Sequence, residues 1–251
     1  MLFIASNTVR LAPAAEFDRN AVTMRLNAAN PGHKADLRRK DLTGLDLSGL
    51  DFKNADLWGA DLRRANFSGS DLSGLNLDLT VMSKINLANA DLSHTSVFGV
   101  HMGSANLSHA NLRGSRFIAN LDRANLSYAN LQHANWGVDM QNQPMCLMLV
   151  SLNNADLSHA DLTGANLNRA LLRYSNFSET ILKNTVLSGA DLAGAKFIRA
   201  NLSGADLTGC LLEDADFTEA NLAGTLFTKS VDLNRLKGFE KSQNLDQVVF
   251  K

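Results

Sequence analysis

The chain of 251 residues is short of most things that folds and sites are commonly built from. It has 2 cysteines, Cys146 and Cys210, far apart in sequence, so no disulfide framework is implied. Pro is rare, and only 6% of residues are aromatic, so few large rings are available to fill a layered core. Net charge is nearly absent. The 24 Lys+Arg stand against 25 Asp+Glu, which excludes a global attraction to nucleic acid or to an anionic membrane. Long apolar runs are missing as well: Met1 to Ala5 is too short for a signal peptide and lacks its basic flank. No later stretch approaches the ~20 apolar residues of a spanning helix. The expectation is a cytoplasmic protein without a membrane span, with export as an effector lacking a cleavable signal as the alternative.

What is present is one short unit written many times. From Ala35 the chain reads ADLRR, KDLTG, LDLSG, LDFKN, ADLWG, ADLRR, ANFSG, SDLSG. A central Leu or Phe recurs every five residues, at Leu37, Leu42, Leu47, Phe52, Leu57, Leu62 and Phe67, and the pattern reaches Phe227. Two positions before each centre the residue is small (Ala55, Ala60, Ser70, Ala105, Ala160, Cys210), and the one between is mostly Asp or Asn. Period five fits neither the 3.6 of a helix nor the 2.0 of a flat strand. It fits a chain that turns a corner every five residues. The centre and the small residue then face inward together, as i and i+2 do in extended chain, and the Asp or Asn faces solvent. Gly often ends the unit, where a corner favours its free φ (Gly44, Gly49, Gly69, Gly204).

Phe177, Phe197 and Phe217 are separated by steps of 20 residues, which would stack them on one face of a coil of four units, whereas Phe52 and Phe67 are 15 apart and favour three. The register slips twice, between Phe117 and Leu121 and between Trp136 and Leu147. The two slips cancel, which is expected to keep Phe117, Trp136, Leu157 and Phe177 on one face.

These units resemble the pentapeptide-repeat family, A-(D/N)-L-x-x, over Ala35 to Thr228, about three quarters of the chain. The resemblance implies an all-β fold, a right-handed quadrilateral β-helix of nearly ten coils, about 45 Å long at the spacing of stacked strands. Both ends of such a rod need covering. Residues 1–34 are expected to be an N-terminal cap with degenerate repeats, in which Ala15-Glu16-Phe17 keeps phase and Val22 is the next centre. Residues 35–229 form the solenoid with an interruption at 137–146, and residues 230–251 a C-terminal helical cap or tail. Within that tail, Asp232 to Lys237 form a short helix with Asp232 as N-cap. Val248, Val249 and Phe250 fold onto the last coil or pair with a second subunit, making a homodimer through the C-terminal end.

No catalytic constellation rises above the repeat. The carboxylates recur because the unit places them outside, and neither a phosphate-binding loop nor a nucleophile elbow occurs. Metal-ligand spacing is absent too. No catalytic residue, metal or cofactor is expected, and the protein is read as not an enzyme. Function then lies on the surface. Asn89, His109 and Tyr128 line one column of corners, with His94, His133 and Tyr174 on the adjacent face and Arg113, Arg173, Met148 and Leu149 nearby. Larger polar and aromatic residues gathered mid-rod mark a recognition patch for a protein partner. A second patch is acidic: Asp206, Glu213, Asp214, Asp216 and Glu219 fall in a stretch, Asn201 to Thr228, without Lys or Arg. The leading reading is a non-enzymatic interaction scaffold or regulator, with no direct nucleic-acid binding. The alternative, implied by the resemblance, is a DNA-mimicking protector or inhibitor of a type II topoisomerase, as in quinolone resistance.

Overall fold

Within a coil the only recurring backbone bond closes a corner, from the small residue's N–H to the preceding centre's C=O, as Ala60 to Leu57 at 2.9 Å. The other N–H and C=O groups must be satisfied by the coil above or below. The computed structural model, which describes residues 17–138 and 148–251, shows how. Leu62 N–H donates to Val81 C=O at 2.8 Å, while Asp61 N–H donates to Lys40 C=O at 2.9 Å, one bond up and one bond down. Parallel bridges repeat at this spacing in four columns, so the chain is a β-solenoid with four sides to a coil. The outward residues of the first side include Asp36, Asp56, Asn76, Ser96 and Arg116; those of the second, Asp41, Asp61, Val81 and His101. Those of the third include Asp46, Asn66 and Asn86, and those of the fourth, Asp51, Asp71 and Asp91. We number each corner by the side it follows.

Inside, the centres are fully buried, and two aromatic piles run up the core. Phe177, Phe197 and Phe217 stack at centroid spacings of 5.0 Å on the third side. Phe117 and Trp136 stack at 4.8 Å on the first. The piles therefore lie on different sides, and Phe117, Trp136, Leu157 and Phe177 do not share a face. Trp136 N–H donates to Asn166 C=O, whereas Leu157 lies above Leu126. The reason is the second slip. Continuing the period past Trp136 would put Gln141 and Cys146 at centres, and a buried amide without partners is costly. The ladder instead joins Asn135 to Asn166 across 31 positions, and Leu152 follows Trp136 as the next centre. The extra residues between them add no side to the coil. The first slip is taken up as a bulge: Phe98 pairs with Ile118 and Val100 with Ala119, so Gly99 has no opposite number. Expectations placed on residues 1–16 and 139–147, including the repeat phase at Glu16 and the centre at Leu147, lie outside the described residues.

The small inward positions admit hydroxyls where a carbonyl waits for them. Ser70 donates to Leu47 C=O at 2.9 Å and Thr185 to Leu162 C=O at 2.8 Å. Cys210 takes the same place, its Sγ 3.1 Å from Leu187 C=O, and burial pushes its thiol up to about 12. That thiol is inert at neutral pH.

The N-terminal cap is not a degenerate coil. An α-helix, α1 (Arg19–Ala28), is capped by Asp18, whose carboxylate accepts the Ala21 N–H at 2.7 Å. It turns Val22 and the preceding Phe17 inward as a lid on the first coil. Arg19 donates to the C=O of Asp46 and of Ser48, both at 2.9 Å, which satisfies part of the open edge.

At the other end the tail closes the rod within the chain. The last coil widens by three 3-10 turns, Leu233–Arg235, Phe239–Lys241 and Leu245–Gln247, the first capped by Asp232. Between these turns it keeps the ladder: Lys237 pairs with Asp216, Gln243 with Asn221, and Val249–Phe250 with Leu226–Phe227. Val248 packs against the core, while Val249 and Phe250 stay 42% and 39% exposed. Deleting residues 239–251 uncovers Phe227 and the edge of the ninth coil, so melting temperature should fall and aggregation rise, read by thermal scanning with light scattering.

Phe197→Ala leaves a cavity between two rigid rings and should cost about 3–5 kcal/mol in urea titration. Asn201→Ala on the surface loses only the bonds its carbonyl accepts from Ser203, N–H at 3.2 Å and O–H at 2.6 Å. That should cost about 0.5–1.5 kcal/mol, and equal losses would overturn the inside–outside assignment.

Candidate functional site

The outward Asp and Asn do more than meet solvent. Each accepts the backbone N–H two residues on and so holds the next corner: Thr43 N–H to Asp41 at 2.9 Å, Ser93 N–H to Asp91 at 2.8 Å, Thr218 N–H to Asp216 at 2.9 Å. Asn side chains also bond the coil below, as Asn86 to Asn66 at 2.9 Å and Asn106 to Asn86 at 3.1 Å. The side chains of Thr43 and Ser48, and then their backbone N–H groups, hold Asp41 and Asp46 below the ordinary carboxylate range. Asp61 is held low first by the Arg63 guanidinium. A depressed folded pKa contributes stability above the unfolded value near 4, lost as pH falls through the folded one. Urea midpoints should therefore be flat near neutrality and drop progressively below about pH 4; no drop would contradict this role for the carboxylates.

Corners are where the units differ. At corners of all four sides the last residue of the unit has φ near +60° whether or not it is Gly, as at Arg39, Lys84, His109 and His133, which presents its side chain outward along a straight column. On the third corner, His109, Tyr128 and His159 follow one another in successive coils. Their rings stack at 4.8 and 4.5 Å, with interplanar angles of 4° and 7°. Above them Glu179 lies 3.4 Å from His159 Nδ1 and 2.8 Å from Arg199. Tyr128 remains 53% exposed. On the fourth corner, His94 lies against Gly114 and His133 against Gly164. A Cβ at Gly114 would come within 2.7 Å of the His94 imidazole, so a glycine there is required by the ring as well as by φ. Arg113 bonds Gln132, and Gln132 bonds Asp161 at 2.6 Å, which ties the fourth side together between the two corners.

The residues expected to form one patch therefore divide. His94, His109, Arg113, Tyr128 and His133 flank the fourth side, with Asn89 at its lower end. Arg173 and Tyr174 lie on the second corner, where Tyr174 N–H reaches Ala193 C=O, and Arg173 pairs with Asp191 at 3.0 Å. Met148 and Leu149 precede Val150 at the first corner, also on the second side. Tyr174 is thus not on the face of His94 and His133, because the extra residues after Trp136 shift every later position by two sides. The same shift hid His159, which the sequence offers no reason to align with Tyr128 until the ladder from Asn130 to Asp161 is known.

The acidic residues do not form one field either. Glu213 pairs with Arg235 at 2.8 Å and Asp214 with Lys237 at 3.7 Å, both cations coming from the tail. Asp206 and Asp216 bond their own corners, and Glu219 lies on the third corner beyond Arg199. Among the described residues no group of His, Cys, Asp and Glu is arranged to hold a metal ion. No helix there is long and apolar enough to cross a membrane.

The family profile for pentapeptide repeats matches in eight copies, over residues 33–118, 119–136 and 151–231. The chain belongs to the pentapeptide-repeat family. No curated protein matches it. Among solved structures it is similar to HetL from the cyanobacterium Nostoc sp. strain PCC 7120, a pentapeptide repeat protein involved in heterocyst differentiation regulation. The two are 27% identical, over 90% of this chain and 94% of that one, with a TM-score of 0.43. It is similar to QnrB1, a plasmid-mediated fluoroquinolone resistance protein, at 18% identity over 84% and 89% of the two chains, with a TM-score of 0.44. It is also similar to alr5209, a pentapeptide repeat protein from Nostoc PCC 7120, at 32% identity over 53% and 84%, with a TM-score of 0.29. The family profile passes over residues 137–150, where the ladder also shows the insertion.

Proposed function

We propose that this pentapeptide-repeat protein is a non-enzymatic binding scaffold, a right-handed quadrilateral β-helix that docks a protein partner on its fourth side. The observation that carries the reading is the exposed His109–Tyr128–His159 stack, three rings in register along one corner of a rigid rod. Rings held this way lose little entropy on binding and offer both an apolar face and hydrogen-bonding edges, the mixture enriched at interfaces. Asn111, Asn130 and Asp161 between the corners supply further donors and acceptors. The DNA-mimic alternative asks for carboxylates along much of the rod, spaced as phosphates are. Here Arg38, Lys53 and Arg63 pair with the N-terminal carboxylates, and Arg235 and Lys237 with the C-terminal ones, which favours the scaffold.

The test replaces the stack without disturbing the corner. The same column already carries Gly49 and Gly69, so a His109→Gly, Tyr128→Gly, His159→Gly triple variant keeps the backbone it needs. Partners captured from the native host by the wild type should be lost by the variant at unchanged melting temperature. Capture that survives the triple change would overturn the assignment of the fourth side. Dose-dependent rescue of gyrase supercoiling from a quinolone would establish the alternative instead.

A further inference from the structure

The second side, opposite the proposed docking face, carries a pattern of its own. Its outward column runs without a break from Asp41 through Asp61, Val81, His101, Asn120, Ser151, Leu171 and Asp191 to Leu211. The second corner beside it runs from Gly44 through Arg64, Lys84, Ser104, Arg123, Asn154, Tyr174 and Gly194 to Asp214. Apolar residues stand exposed near both ends, Leu79 at 52%, Val81 at 38% and Leu211 at 57%. Charge is sorted along the corner: Arg64, Lys84 and Arg123 lie in the N-terminal half, Glu213 and Asp214 in the C-terminal half. There Arg235 pairs with Glu213 at 2.8 Å and Lys237 with Asp214 at 3.7 Å, the longer pair leaving the exposed Asp214 carboxylate open to a second cation. The structure shows no ion pair for Lys84 or Arg123 among the described residues.

We propose that the second side is self-complementary and docks a second copy of this chain, antiparallel. A twofold axis in the plane of contact, at right angles to the rod, keeps each corner opposite its own copy and reverses the order of coils. Placed at the sixth coil, that of Ser151, it sets Val81 against Leu211 and Lys84 against Asp214 of the second copy. The same placement sets His101 against Asp191, Asp122 against Arg173, and Arg123 over the Tyr174 ring. Leu79 meets Gly209, which leaves room for it. Other registers lose this match. Moving the axis one coil toward the N-terminus opposes Asp61 and Asp191; one coil the other way opposes Asp122 and Glu213. Each contact occurs twice, so the charge pairs set register while the apolar residues supply contact. The strip of seven coils is about 34 Å long and only one side of the coil wide, so its area falls at the small end of specific interfaces and the association is reversible. The fourth side stays exposed in both copies.

Sedimentation velocity of the full chain over a concentration series, at low and at high salt, tests this. A reversible dimer weakened by salt is expected. Lys84→Glu and Asp214→Lys should each raise the dissociation constant about tenfold or more, a loss of ~1.4 kcal/mol. The double variant K84E/D214K restores both pairs with their signs exchanged and should return to within about threefold of the wild type. A chain that stays monomeric throughout overturns the proposal. So does a dimer that neither single change weakens, which would place the contact at the C-terminal tail, or a double variant that fails to recover.

Discussion

The structure depends on one constraint, that each coil's backbone bonds are completed by its two neighbours. Within a coil only the corner turn is bonded, as Ala190 N–H to Leu187 C=O at 2.9 Å, and the remaining backbone groups find partners only in the next coil. Stacking solves this for every interior coil and for neither end. The two ends therefore give up the repeat for other local structure: α1 with its arginine on the carbonyls of Asp46 and Ser48, and the widened last coil of 3-10 turns. Each end keeps what the ladder needs and gives up the rest.

The same constraint confines variation. Inward positions must be Leu, Phe or a small residue, and any hydroxyl or thiol there must reach a carbonyl, as Ser70 and Cys210 do. The Asp or Asn before each centre is committed to the next corner's N–H. The corner residues, the position before them and the outward positions that carry something other than Asp or Asn, such as Val81 and Leu211, are freer to change, so recognition is written mainly there. Because successive coils lie a stacking distance apart, identical corner positions become ladders of contact. Rings at one corner stack as His109, Tyr128 and His159 do; opposite charges pair as Glu179 and Arg199 do. A rigid rod thus turns a linear pattern into a surface without any loop having to fold around a site.

Much of this was legible in the chain alone. Five-residue periodicity with Leu or Phe centres and small partners determined the inside, the outside and the corners, because those are set by the geometry of extended chain a few residues long. Steps of 20 between Phe177, Phe197 and Phe217 pointed to four sides and the step of 15 between Phe52 and Phe67 to three, and the bridges between coils decided for four. The tail's apolar end was readable as something that must be covered, and Asp232 as a cap.

What the tertiary structure decided was which coils touch which. The insertion after Trp136 counts as no side at all, as the ladder bonds from Leu121 to Ser151 and from Trp136 to Asn166 show. That single choice moved Tyr174 away from His94 and His133, separated the two aromatic piles, and brought His159 onto Tyr128. The N-terminal segment likewise keeps the repeat's phase at Phe17 and Val22, yet folds as a helix, because there is no coil below it to complete a ladder. Local periodicity determines a side; the number of residues between two sides is settled only by the long-range hydrogen bonds that one coil makes to the next.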